Sequence, residues 1–160
     1  MPKYEVPTNF EIRQLRTIAD FQFGSGSGTA LFSDSIKIER SRATRRIRFI
    51  YLDGQRICSF RVRDGYLVPS LFGAKKLNEK GCGLKVTVHP DAEPFVRNGK
   101  SLFAKHVLEA DEDIAIKEEV ILVTKTGYFL GIGTAKLSTQ LMKEMKRGVA
   151  VDVRKGIDQK

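Results

Sequence analysis

The fold is decided by the stretch Pro94-Phe95-Val96-Arg97-Asn98-Gly99-Lys100-Ser101-Leu102-Phe103-Ala104-Lys105. Two β-rich runs follow it, Val120-Ile121-Leu122-Val123 and Gly131-Ile132-Gly133-Thr134-Ala135. A glycine turn flanked by Arg97 and Lys100, beside aromatic side chains, is typical of a site that holds phosphates and stacks bases without a catalytic group. The short runs around this turn predict a small β-barrel that binds RNA.

The charge of the chain favours an anionic partner. Lys and Arg number 28 against 19 Asp and Glu, which gives a formal charge of +9 at pH 7. Residues 1–83 hold 15 basic and 8 acidic side chains, whereas residues 84–160 hold 13 and 11, so the excess lies in the first half. Nucleic acid is the commonest partner of such a chain. A soluble basic protein without such a partner is the plainer alternative.

Other features of the composition bear on location. No apolar run approaches the ~18 residues of a membrane span, so we expect no membrane partner. The only two cysteines, Cys58 and Cys82, argue against a secreted scaffold built on disulfides. We therefore expect a cytoplasmic protein.

The first half predicts one helix packed on an antiparallel sheet. Thr8 and Glu11 have the spacing of a capping box, and apolar residues then recur at helical spacing. A flexible loop is predicted over residues 24–28, after which the apolar period changes to two. Asp53-Gly54 predicts a hairpin turn, and residues 71–72 read as part of a further strand.

A glycine-containing joint over residues 75–83 divides the chain into two predicted domains, residues 1–83 and 84–156. The second domain predicts short strands with two helices, over residues 92–97 and 138–146. In the later helix Leu141 and Met145 are expected on one shared face. Together the two halves predict an α+β protein.

The second half resembles the PUA (pseudouridine synthase and archaeosine transglycosylase) domain, an RNA-binding pseudo-β-barrel of RNA-modifying enzymes. The match covers about residues 84–154. The segments that carry it, in order, are Pro94-Phe95-Val96 with Gly99, Lys117-Glu118-Glu119-Val120, Leu130 to Ala135, Met142, and Gly148-Val149-Ala150-Val151. The resemblance implies a PUA-type barrel with RNA contacts on the first helix, the glycine loop and strand after it, and the last strand.

The first half resembles the segment that precedes the PUA domain in archaeal tRNA-guanine transglycosylase, the enzyme family that forms archaeosine in tRNA. The matching segments are Ala19 to Gly24, Leu31-Phe32, Ser41 to Arg48, and Asp64-Gly65. The resemblance implies that this chain corresponds to the C-terminal tRNA-binding part of that family, without its catalytic barrel. It further implies an accessory subunit, or a paralogue with another tRNA-related use.

Nine residues of the second half are candidate RNA contacts on this basis. They are Phe95, Arg97, Asn98, Gly99, Lys100, Ser101, Phe103, Lys105 and Arg154. Gly99 would let a backbone approach a phosphate, the cations would release counterions on binding, and an exposed aromatic side chain would stack a base. The structural alternatives are a helix C-cap for Gly99 and core positions for Phe95 and Phe103.

The densest basic run lies in the first half. Its candidate phosphate contacts are Arg42, Arg45, Arg46 and Arg48. On a two-residue period Arg46 and Arg48 share a face, and the hairpin brings Arg61 or Arg63 across from them. Since like charges opposite one another destabilise a sheet, a polyanion is the natural compensation. A solvated charged face is the alternative.

The sequence argues against an enzyme. The glycine-rich segment 24–28 follows a helix and lacks the Lys-Ser/Thr ending of a nucleotide loop. His89, His106 and the two cysteines lack the paired spacing of a zinc site, so no metal or cofactor is expected. The clustered acids at residues 111–113 and 118–119 read as a solvated edge.

The sequence therefore predicts non-catalytic binding of tRNA, by its acceptor stem or 3′ end, in support of a transglycosylase made as a separate chain. Two alternatives remain open: a translation- or ribosome-associated RNA-binding protein, and a protein-interaction module that uses its basic face. The oligomeric state and the particular tRNA do not follow from the sequence.

Overall fold

The computed structural model describes residues 4–159. The chain divides into two compact units at the Gly83–Leu84 bond. We call residues 1–83 the N-terminal unit and residues 84–160 the C-terminal unit, and each is described by itself.

The N-terminal unit begins with the predicted helix, α1 (Asn9–Phe23). The capping box is formed: the Thr8 side chain accepts from the Glu11 amide at 3.1 Å, and the Glu11 carboxylate accepts from the Thr8 amide at 3.0 Å. Two of the first unpaired amides of the helix are thereby satisfied. The buried face of α1 carries Ile12, Leu15, Ala19 and Phe23, at the spacing that faces one side of a helix.

Four antiparallel strands follow, in the spatial order of the chain. They are β1 (Lys37–Arg40), β2 (Ile47–Leu52), β3 (Gln55–Phe60) and β4 (Leu67–Pro69). One register row across the sheet, Ile38–Ile50–Cys58–Pro69, is buried throughout and forms the core face. Asp53 and Gly54 both have positive φ, as a two-residue type I′ hairpin requires.

Two short helices of the N-terminal unit were not predicted. The loop expected over residues 24–28 ends at Gly26, because α2 (Ser27–Leu31) begins there. A Cβ atom on Gly28 would lie 2.6 Å from the Arg16 Cα atom, so α2 packs backbone to backbone on α1. Gly28 also donates its amide to the Asp20 carboxylate at 2.8 Å, so only residues 24–26 form the predicted connection and residues 27–28 are helical.

The expected strand at residues 71–72 is also wrong. These residues open a helix, α3 (Leu71–Glu79), whose first turn is capped by the Ser70 hydroxyl accepting from Gly73 N at 3.1 Å. The predicted joint at 75–83 is therefore mostly helical, with Leu77 buried in the unit's core.

The C-terminal unit is a mixed six-stranded sheet with short helices. Its elements are β5 (Lys85–Val88), α4 (Glu93–Arg97), β6 (Leu102–Phe103), β7 (Val107–Ala110), β8 (Glu119–Val123), β9 (Phe129–Ala135), α5 (Thr139–Glu144) and β10 (Val149–Gly156). The strand order is β6-β10-β9-β8-β5-β7, and β5 pairs with β8 in parallel while every other pairing is antiparallel. The predicted α+β class is confirmed.

The late helix buries a different face from the one that Leu141 and Met145 share. Ser138 caps α5 by accepting from Leu141 N at 3.3 Å, and this start turns Met142 into the core. Leu141 and Met145 are exposed instead. Thr139 is the second buried residue, because its hydroxyl donates to the Asp111 carbonyl at 2.6 Å and accepts from Ile114 N at 3.1 Å.

Candidate nucleic-acid interface

Two turns at one end of the N-terminal sheet have the same hydrogen-bond pattern. In the β1–β2 turn, Ser41 N donates to Arg46 O at 2.8 Å and Arg45 N donates to Ser41 O at 2.9 Å. In the β3–β4 turn, Arg61 N donates to Tyr66 O at 2.8 Å and Gly65 N donates to Arg61 O at 2.7 Å. The fifth residue of each turn has positive φ, 61° at Arg45 and 74° at Gly65.

A groove of about 610 Å³ is lined by α1 and by these two turns. Its cationic lining comes from five arginines, Arg40, Arg45, Arg46, Arg48 and Arg61. Its apolar lining comes from Leu15, Ile18, Ile47, Phe60 and Val62. The groove thus joins a hydrophobic wall to a concentration of positive charge.

Two of the groove arginines are held by carboxylates. Arg40 binds Glu5 at 2.9 Å and Glu11 at 2.7 Å, while Arg61 binds Asp64 at 2.8 Å. The Thr8 backbone amide and the Arg40 side chain hold the pKa of Glu11 below its usual value, although desolvation opposes them. The hydrogen bond from Arg61 likewise lowers the pKa of Asp64. The pair between Arg40 and Glu11 ties the end of β1 to α1. The pair between Arg61 and Asp64 closes the β3–β4 turn.

The four predicted phosphate contacts of this unit remain without such partners. Across residues 4–159, no carboxylate lies within ion-pair distance of Arg42, Arg45, Arg46 or Arg48. All four side chains are exposed. Arg48 lies over the Phe49 ring, 5.2 Å from its centroid. The arginines expected from the sequence therefore gather around one turn as uncompensated charge.

In the C-terminal unit, the predicted glycine turn closes α4. Gly99 has φ 85° and donates to Val96 O at 2.9 Å, as a left-handed helix cap does. A Cβ atom on Gly99 would lie 2.6 Å from the Gln159 Cδ atom, so this side chain fills the space beside the glycine. Asn98 donates its side-chain amide to the Pro94 carbonyl at 2.8 Å. Both residues have structural tasks within the unit.

The two predicted arginine contacts of this unit are both engaged in ion pairs. Arg97 makes a forked pair with Asp158, with distances of 2.8 and 3.3 Å, and this partner raises the pKa of Arg97. Arg154 binds Glu119, which is buried and also accepts from the Thr134 hydroxyl at 2.9 Å. The interpretation of Glu119 as part of a solvated edge is wrong, because β8 carries it into the sheet.

The aromatic candidates are exposed. Phe95 is 61% exposed and Phe103 is 47% exposed, since their neighbours Val96 and Leu102 fill the core. The structural alternative that placed them in the core is therefore wrong. Lys100 and Lys105 are exposed near them in the chain, and Ser101 is half-buried.

Sequence reasoning missed a third exposed aromatic residue, Tyr128, which is 61% exposed at the start of β9. The signal was an aromatic side chain directly after the Lys125-Thr126-Gly127 turn, between two otherwise apolar strands.

Within residues 4–159, no cluster of three or more His, Cys, Asp or Glu side chains is placed to hold a metal ion. Cys58 is buried and Cys82 is half-buried. In the same part of the chain, none of the helices has the length and apolar character needed to cross a membrane.

Two protein-family models match the chain. Residues 13–81 match the patch-forming domain C2 of tRNA-guanine transglycosylase, and residues 84–157 match the PUA domain. The boundary between the matches coincides with the division between the two compact units.

Curated relatives match across nearly the whole chain. The tRNA-guanine(15) transglycosylase of Methanothermobacter thermautotrophicus is 41% identical over 156 residues, which is 95% of this chain and 24% of that protein. The tRNA-guanine(15) transglycosylase of Thermococcus kodakarensis is 38% identical over 157 residues, 96% of this chain and 27% of that protein. The chain thus spans about a quarter of the length of these relatives.

Solved structures share the fold. A hypothetical protein of Pyrococcus horikoshii superposes with a TM-score of 0.74 at 21% identity, covering 99% of this chain and 96% of that one. A conserved PUA-domain protein of Thermoplasma acidophilum gives 0.68 at 21% identity, covering 96% and 93%. The predicted arrangement, a helix-on-sheet unit followed by a PUA-type barrel, is confirmed.

Proposed function

We propose that this chain, whose residues 13–81 match the patch-forming domain C2 of tRNA-guanine transglycosylase and whose residues 84–157 match the PUA domain, binds tRNA without itself catalysing a reaction. In this proposal it holds the acceptor stem and 3′ end and presents the tRNA to an archaeosine-forming transglycosylase whose catalytic barrel is on a separate chain. The non-catalytic part rests on the extent of the match, since the two domains account for residues 13–81 and 84–157.

The observation that carries the proposal is the group of four unpaired arginines around the β1–β2 turn. A guanidinium already bound to a carboxylate contributes little to polyanion binding, whereas a free one neutralises a phosphate and releases its counterion. Arg42, Arg45, Arg46 and Arg48 are exposed, and within residues 4–159 no carboxylate lies within ion-pair distance of them. They supply binding energy without sequence readout.

The C-terminal unit supplies a second kind of contact. Exposed Phe95 and Phe103 offer rings on which unpaired bases stack, for ~1–3 kcal/mol per base. Lys100 and Lys105 lie close to them in the chain and are exposed. Stacking needs unpaired bases, so this surface suits the single-stranded 3′ end of a tRNA.

The test is equilibrium binding of a tRNA transcript over a salt series, beside the same transcript without its 3′ single-stranded end. We expect salt-sensitive binding that weakens on trimming. The double variant R45A/R46A should lower the salt slope by about two, since each phosphate contact contributes ~0.9. The matched control is K75A/K80A, which removes two exposed charges from the same unit and should change the slope less.

Absence of tRNA binding at low salt would contradict the proposal and favour the protein-interaction alternative. An unchanged slope in R45A/R46A would remove the β1–β2 turn from the interface. The partner is tested by adding the chain to a transglycosylase catalytic chain that lacks these two domains. A lower KM for tRNA is expected. An unchanged KM would contradict the transglycosylase partner but not tRNA binding by this chain.

A further inference from the structure

The two matched turns differ at the one position where backbone conformation decides which residue is favoured. Arg45 and Gly65 occupy the same position of the same hydrogen-bonded turn, both in the left-handed region. Glycine adopts this conformation freely, whereas a residue with a Cβ atom and a long side chain pays a conformational cost. The β3–β4 turn thus has the favoured residue and the β1–β2 turn does not.

No side-chain interaction within residues 4–159 compensates the backbone strain at Arg45. Among residues 4–159 its side chain forms no ion pair and no hydrogen bond; only its backbone amide and carbonyl are used, by Ser41 and Arg40. Residues held in sparsely populated backbone conformations cluster at active sites and ligand sites. The guanidinium of Arg45 lines the groove between α1 and the turns.

The lining of the groove indicates what it holds. A phosphate alone needs cations and hydrogen-bond donors, and Arg45, Arg46 and Arg48 supply these. It does not need the apolar wall formed by Leu15, Ile18, Ile47, Phe60 and Val62. A flat apolar ring joined to a phosphate uses both parts, and the volume of about 610 Å³ lies within the range of small-ligand sites.

We propose that this groove holds one unstacked nucleotide of the bound RNA, with its base against the apolar wall and its phosphate on Arg45, Arg46 and Arg48. The inference rests on the proposed function, because it names the part of the RNA that the N-terminal unit takes. It differs from general backbone binding in requiring a base that has left its stack.

The experiment compares R45G with R63A in the intact chain. Arg63 is a matched control because it is an exposed arginine of the sister turn that does not line the groove. The probes are a ten-nucleotide oligouridylate, whose bases are free, and a ten-base-pair RNA duplex, whose bases are stacked. Intact tRNA is titrated in parallel.

R45G is expected to weaken oligouridylate binding at least tenfold and duplex binding no more than threefold, whereas R63A changes both by the same small factor. R45G should also melt about 4 °C higher than the wild type, because glycine removes the strain.

V62S tests the apolar wall of the groove. Val62 is 91% exposed, so we expect no loss of fold, a loss of oligouridylate affinity and an unchanged salt slope.

Equal losses on the two RNAs, or the same behaviour in R45G and R63A, would overturn the inference while tRNA binding by the wild type kept the proposed function intact. A wild-type chain that bound neither tRNA nor the oligonucleotide would overturn both. A reduced salt slope in V62S would contradict the assignment of this residue to the base.

Discussion

The arginines of the two units are the same residue type in opposite situations. Those of the β1–β2 turn, Arg42, Arg45, Arg46 and Arg48, face no carboxylate in residues 4–159. Those of the C-terminal unit that the sequence placed in the RNA interface, Arg97 and Arg154, are bound to Asp158 and Glu119. Positive charge therefore indicates a polyanion site only where the fold has left it uncompensated.

The contrast also holds within the N-terminal groove. Arg40 bridges Glu5 and Glu11, and Arg61 closes its own turn through Asp64. Their neighbours Arg45, Arg46 and Arg48 line the same groove without such partners. The paired arginines hold the groove in shape, and the unpaired ones are available to the RNA that we propose it binds.

The largest expected effect comes from removing Arg154, the exposed cation that neutralises the buried Glu119 carboxylate. R154A leaves the Glu119 carboxylate, which is 2% exposed, without its cation. A buried carboxylate left without its cation costs about 3 kcal/mol, so urea denaturation and amide hydrogen exchange of β8–β10 should show a loss of about this size. The control is R97A, whose pair with Asp158 is exposed on both sides and should change stability much less. Equal losses in the two variants would place Arg154 with the ligand-facing residues.

A second prediction concerns Phe95 and Phe103, the exposed aromatic residues of the C-terminal unit, in which Arg97 and Arg154 are already bound to carboxylates. F95A and F103A should each weaken binding of intact tRNA by about 2 kcal/mol through lost stacking, with much smaller losses for tRNA trimmed at its 3′ end. Both side chains are largely exposed, so the melting temperature should change little. L108A, another exposed apolar residue of this unit, is the control. Equal losses on intact and trimmed tRNA would argue against a 3′-end site here.

The smallest expected effect is on the stability contributed by the Glu11–Arg40 ion pair, which is followed as a function of pH. In E11Q the ion pair with Arg40 is lost, and unfolding should require about 1 kcal/mol less at neutral pH. Folding lowers the pKa of Glu11, so its contribution is present above about pH 4.3 and is lost as the pH falls through the depressed value. The two denaturation curves should therefore converge in acid. A difference that persisted unchanged at low pH, or a fall in tRNA affinity, would contradict a purely structural pair.

Local signals in the sequence were sufficient for much of the fold. The Thr8–Glu11 capping box and the Asp53-Gly54 turn act within four residues, so they set their elements regardless of the rest of the chain. The prediction of a strand at residues 71–72 failed because these residues begin a helix that is fixed by the Ser70 cap and by packing of Leu77. In α5 the buried apolar residue is Met142, whereas apolar spacing pointed to Leu141 and Met145. The position of the cap, rather than apolar spacing alone, sets which side of a short helix faces inward.

The site was predictable in composition but not in pairing. The run of arginines at 42–48 is visible in the sequence, yet the partner of Arg97 lies 61 residues away and that of Arg154 lies 35 residues away. Only the folded sheet brings such pairs together. The exposure of Phe95 and Phe103 was equally out of reach, since an aromatic residue beside an apolar one reads as core until the strand direction is known.

The order of strands in each sheet determines when that sheet can be completed along the chain. In the N-terminal unit each strand pairs with the next, so the sheet closes as soon as β4 is present. In the C-terminal unit β10 lies between β6 and β9, and β5 pairs with β8 across the intervening elements. Such non-local pairings require loops to close before any contact stabilises them. The sheet therefore remains incomplete, with β6 unpaired and β9 paired only with β8, until β10 has been synthesised.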